Sequence, residues 1–182
     1  MTYGPLVLAA ALTLVSGLPA MAAEFTLSSP DIAEGGKLAQ AQVANALGCD
    51  GGNVSPALSW SNAPAGTRSF VVTAYDPDAP TGSGFWHWAM FNIPSGVTEL
   101  KAGITPDRGA PAGAIQSRAD AGFSSYIGAC PPPGQTHRYV FTVTALSVDK
   151  LDLDSNASGA LIGFMTNANA LAKASITVHY GR

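Results

Sequence analysis

YDPDAPTGSGFWHWAMFNIP, residues 75–94, joins two apolar runs through a loop of Asp, Pro and Gly. Upstream, SFVVTAY (69–75) is rich in β-branched and aromatic residues, and WHWAMFNI (86–93) downstream is a run of the same kind. Such side chains pack well on a pleated surface, so both runs read as strands. Pro77 and Pro80 stiffen the loop, while Thr81-Gly82-Ser83-Gly84 supplies the freedom to turn back. As antiparallel neighbours, the two strands bring Asp76 and His87 out near one end of a sheet.

The same pattern extends outward. YVFTVTAL (139–146) and SITVHY (175–180) read as further strands, with turn formers at 49–53, 62–66, 94–96 and 131–134 between the runs. Evenly spaced short strands with Pro/Gly turns indicate a sandwich or barrel. One stretch departs from it: Leu161, Phe164, Met165, Ala168, Leu171 and Ala172 recur at helical spacing over 158–172, with Ser155 or Ser158 as cap. That stripe is expected to pack on a sheet and carries no chemistry.

A chain of 182 residues fits a single core. Charged residues make up 12% and the formal net charge is −3, which excludes the basic face a nucleic-acid binder needs. Leu6 to Val15 is apolar, long enough for a signal h-region and too short to span a bilayer. Ala20-Met21-Ala22 fits a small-x-small cleavage site, so a signal peptide at 1–22 and a domain at 23–182 are expected, with the product periplasmic or secreted. The n-region has no Lys or Arg, and the alternative is a buried apolar N-terminal element. Export would let Cys49 and Cys130 pair, and closing that loop would stabilise by roughly 4 kcal/mol. Two buried free thiols are the other reading.

Two clusters could carry chemistry. In the first, the Asp76 carboxylate near the His87 imidazole would fix its tautomer or favour its charged form. A turn-closing Asp is the plainer reading. The second runs from Tyr126 through Gly128-Ala129-Cys130-Pro131-Pro132-Pro133-Gly134 to Thr136-His137-Arg138-Tyr139. Alternation puts His137 and Tyr139 on one strand face and Arg138 on the other. Gly128 lets backbone approach a ligand, and N–H groups of such a loop can form an anion nest, although a rigid hairpin connection is the plainer reading of a Pro-rich loop. No activated Ser or Gly-x-Ser-x-Gly elbow is present. A metal triad of Asp76, His87 and His137 has none of the tight His spacings. Anion recognition fits the donors best: His87 N–H, Tyr139 O–H and loop N–H, with Asp76 accepting a phosphate proton or keeping His87 charged. His179 reads as an ordinary strand residue.

Taken together, these segments resemble the phosphatidylethanolamine-binding protein family, in its bacterial Raf kinase inhibitor-like branch. The resemblance rests on Cys49 to Asn53, Ser55-Pro56, Leu58 to Trp60, the 75–94 block with its DPDAP loop and His-Trp strand, Gly128 to Pro132, and His137-Arg138-Tyr139. It implies a mainly β fold: an antiparallel β-sandwich with Greek-key-like connections and a helix near the C-terminus. It further implies a small pocket for phosphate-like anions lined by Asp76, Asp78, Pro80, His87, Gly128, Pro132, His137 and Tyr139. A Cys49–Cys130 bridge, a cis Asp76–Pro77 bond and possible homodimers belong to the same implication. Ala119 and Ala121 stand where relatives carry Asn-Asp-Phe-Gly, and the lost aromatic implies a wider pocket wall.

The resulting expectation is a binding protein, not an enzyme, that holds phosphate or a phosphorylated headgroup without cofactor or metal. An exported inhibitor of a protein partner such as a serine protease is the alternative, and a weak hydrolase using His87 and Asp76 is third.

Overall fold

The structure, a computed structural model, describes Met1 and residues 23–182. The expected leader falls almost wholly on residues 2–22, outside those described.

Two antiparallel sheets form a sandwich. The smaller has the order β1 (Thr26–Ser28), β2 (Leu58–Ser61), β5 (Glu99–Leu100). The larger runs β6 (Ile115–Gln116), β4 (Phe85–Pro94), β3 (Ser69–Asp76), β7 (Thr136–Leu146), β8 (Ala170–Gly181). The two strands that flank the DPDAP loop are antiparallel neighbours as expected, with Asp76 opposite Phe85. On its other side β3 pairs with β7, far away in sequence. Greek-key-like connectivity follows from that insertion of β3 between β4 and β7.

Alternation builds the core. Phe70, Val72 and Ala74 of β3, Trp88 and Met90 of β4, and Tyr139, Phe141 and Val143 of β7 face inward onto Leu58, Trp60 and Leu100 of the small sheet. On the outer face, Val71, Ala89, Phe91 and Leu146 pack against Leu151, Ala157 and Ile162.

The helix exists, but its buried stripe differs from the expected one. The helix α1 spans Gly159–Asn169 and is capped by the Ser158 hydroxyl, which accepts from Leu161 N. Its buried residues are Gly159, Ile162 and Thr166. Leu161 and Phe164 face solvent, Phe164 at 70% exposure, and Leu171 and Ala172 belong to β8. Shape decided this orientation, because an added Cβ at Gly159 would stand 2.3 Å from the Trp86 ring and only glycine lets the helix settle there.

Cys49 and Cys130 are bonded, with Cα atoms 5.9 Å apart. The Asp76–Pro77 bond is not cis, and no cis peptide occurs among the described residues. Trans is the lower-energy isomer by about 0.5–1 kcal/mol, and the turn closes without the switch. Its closure comes from Asp76 Oδ1, which accepts from Asp78 N at 2.8 Å and Ala79 N at 3.0 Å.

Candidate functional site

A pocket of about 190 Å³ opens where β3 ends and β4 and β7 begin. Asp76, Pro80, His87, Gly128, Pro132, His137 and Tyr139 all line it. The expected alternation of β7 holds: His137 and Tyr139 are buried and Arg138 is exposed.

Within the pocket the partnership of Asp76 is not the expected one. Its Oδ2 sits 2.7 Å from His137 Nδ1, both side chains buried, and the other His137 nitrogen, Nε2, is 2.9 Å from Gln135 Oε1. With Oδ1 closing the loop and Oδ2 on His137, the carboxylate is spent on structure.

His87 is held from a different side. Its Nδ1 lies 2.9 Å from Ile127 O, and Ile127 N donates back to His87 O at 2.9 Å. A carbonyl only accepts, so Nδ1 carries the proton. Burial pushes the imidazole below its ordinary value, with the Ile127 carbonyl and the Asp76 charge opposing. Around neutral pH the ring is therefore uncharged and offers a lone pair at Nε2.

Tyr139 completes the pair. Its ring meets that of His87 edge-on, centroids 5.1 Å apart. The residue is only 2% exposed, yet among the described residues its hydroxyl has no hydrogen-bond partner. Burial, with the Asp76 carboxylate adding, pushes the phenol up, so it stays a donor. A buried orphan hydroxyl costs about 1–3 kcal/mol, and a ligand that accepts from it recovers that cost.

Residues 28–181 match the phosphatidylethanolamine-binding protein family. The chain belongs to that family. It is 51% identical to the protein YbcL of Escherichia coli K12 over 164 residues, covering 88% of this chain and 90% of YbcL. Identity to YbhB of the same organism is 50% over 155 residues, 85% of this chain and 98% of YbhB. LppC of Mycobacterium tuberculosis, a protein named as a lipoprotein, is 38% identical over 151 residues, 82% of this chain and 69% of LppC. The crystal structure of YbcL superposes with a TM-score of 0.86, covering 88% of this chain and 99% of that one. Two antiparallel sheets with a helix near the C-terminus are thus the fold of phosphatidylethanolamine-binding proteins, a family of binding proteins.

Not every expected member of the phosphatidylethanolamine-binding protein pocket faces it. Asp78 turns away to Arg138, taking Nε at 2.9 Å, Nη2 at 2.6 Å and the backbone N at 2.9 Å. The Arg138 guanidinium holds its carboxyl down at about 2. Gly128 lines the wall but its N–H is committed, donating to Asn53 Oδ1 at 2.8 Å. Among the described residues no group of His, Cys, Asp or Glu could hold a metal ion.

Leu47, Ala79, Thr81, Phe85, Cys130 and Pro131 also line the pocket and were not read from sequence. Leu47 is 66% exposed and adopts φ 57°, a conformation unfavourable for a branched side chain. Its neighbour Cys49 is bonded to Cys130, and Arg182 donates to both Gly48 O and Pro131 O at 2.7 Å. Those ties join the two loops at the rim. Ala119 and Ala121 do not line the pocket; they cluster with Ala44 and Ile127, against which Phe85 packs.

Proposed function

We propose that this chain is an exported binding protein that holds a phosphate-like anion or phosphorylated headgroup between Tyr139 and His87. The supporting observation is the Tyr139 hydroxyl, buried and, among the described residues, without a hydrogen-bond partner, beside an imidazole whose Nδ1 is committed to the Ile127 carbonyl. Tyr139 donates to one ligand oxygen. His87 Nε2, carrying a lone pair in the neutral ring, takes a hydrogen bond from a protonated phosphate oxygen or picks up that proton itself. Asp76 then acts through His137 and the DPDAP loop, not on the ligand. Asp78 braces Arg138 at the loop's edge. Export is supported by the disulfide and by likeness to a protein named as a lipoprotein.

Calorimetric titration with phosphate and phosphoethanolamine tests the reading. Wild-type protein is expected to bind, and Tyr139→Phe to weaken binding about 10- to 100-fold, the worth of a hydrogen bond to a charged group. Phenylalanine keeps the ring packing, so equal affinity in the variant would reject the site.

A pH dependence follows. The complex holds one more proton than neutral His87 and a fully ionised phosphomonoester, so affinity falls as pH rises. The free ligand loses that proton near pH ~6, while His87 is already neutral there because burial lowers it, so affinity is level just below about pH 6 and declines above it. Affinity that stays flat across about pH 5–8 would remove the shared proton from the account.

A further inference from the structure

A second concavity lies on the opposite face of the five-stranded sheet. It holds about 310 Å³ beside α1 and is floored by outward residues of β3, β7 and β8, among them Thr73, Thr142 and Ser175. Tyr75 and Trp86 line it too, ring centroids 4.5 Å apart and tilted by 41°. Successive strand residues face opposite ways, so this groove and the His87 pocket are separated by the sheet.

Its lining is unlike the rest of that face. Where α1 covers the sheet, the contact is apolar, built on Val71, Phe91 and Ile162. Beside it the floor is hydroxylated, with Thr142 Oγ1 and Ser175 Oγ bonded at 2.8 Å. Thr166, on the α1 wall, is only 5% exposed, and among the described residues its Oγ1 has no partner. Packing alone would favour valine there, since the shape is the same and no buried hydroxyl is left unpaired. The aromatic end is fixed in place, because Gly159 and Gly163 let the helix rest on the Trp86 ring, where an added Cβ would stand 2.3 and 3.4 Å from it.

Chemistry narrows the occupant. Among the described residues no carboxylate lines the groove, so a cation is not selected. The lysine that does line it, Lys173, is exposed and donates to Asn167 Oδ1, and one solvated ammonium over a hydroxylated floor gives an anion little preference. Hydroxyl groups beside an aromatic surface suit a molecule with many hydroxyls and an apolar C–H face. We propose that this groove is a second binding site, for a neutral saccharide, with Thr166 Oγ1 as its buried anchor and Tyr75 and Trp86 as its platform.

Titrating ¹⁵N-labelled protein with maltose, trehalose and N-acetylglucosamine tests this, read by amide and indole resonances. At least one sugar is expected to produce saturable shifts at Thr142, Thr166, Ser175 and the Trp86 indole, leaving the Gly128 amide still. Thr166→Val is expected to keep or raise the melting temperature and to weaken that binding about fivefold or more. No saturable shift with any of the three sugars overturns the proposal. So do shifts centred on Gly128, or a Thr166→Val protein that binds sugar like wild type. A lower melting temperature in Thr166→Val would mean that the hydroxyl has an internal partner, and would equally overturn it.

Discussion

Asp76→Ala is expected to destabilise the protein by about 3–5 kcal/mol, the usual cost of removing one partner from a buried pair. The substitution strips His137 Nδ1 of its oxygen and leaves the N–H groups of Asp78 and Ala79 without their acceptor. The damage spreads because the loop those bonds close carries Pro80, one wall of the pocket. Asp76→Asn separates the two roles: an amide oxygen can still accept from the loop, but the charge facing His137 is gone. Urea denaturation of both variants provides the measurement. An alanine variant within about 1 kcal/mol of wild type would show that the carboxylate is dispensable, contrary to its geometry.

Gly128→Ala is the second large effect, at about 3 kcal/mol or more. A Cβ at this position would stand 2.4 Å from Ala44 N, from Gln42 O and from Val43 C. All three are backbone atoms, which cannot rotate aside as a side chain does. The two segments must part, and the Gly128–Asn53 bond and the Ile127 carbonyl that orients His87 move with them. Gly96→Ala is the control: nothing lies within 4 Å of its added Cβ, and the cost should stay within about 0.5 kcal/mol. Equal melting temperatures for the two alanine variants would sink the steric account.

The strands were legible because their pattern is local. SFVVTAY and WHWAMFNI declare themselves by composition, and the Pro/Gly loop between them leaves few ways to join them. Residues 158–172 were legible as a helix and not as a surface. Counting apolar residues favoured Leu161 and Phe164, whereas the buried face was set by glycines fitted to Trp86, a residue of another element. In the site, residue types and their gathering at one sheet end could be read, but partnerships could not. Whether Asp76 meets His87 or His137 depends on how β3 lies against both β4 and β7. Alternation placed Tyr139 inward, yet that its hydroxyl finds no partner among the described residues is a property of every neighbour at once. Asn53, which takes the Gly128 N–H, stands in a turn 75 residues away and offered no signal of that role.

The ties at the pocket rim also constrain the order of assembly. The mouth draws on Leu47, on Cys130 and Pro131, and on Arg182 beyond β8, while its floor comes from β3, β4 and β7. Such distant pairings form late and together, since each loop must close before its contacts contribute. A half-folded chain thus has no partial version of this pocket. Ligand affinity becomes a gauge of complete folding, and a bound ligand protects the whole sandwich from unfolding instead of one corner of it.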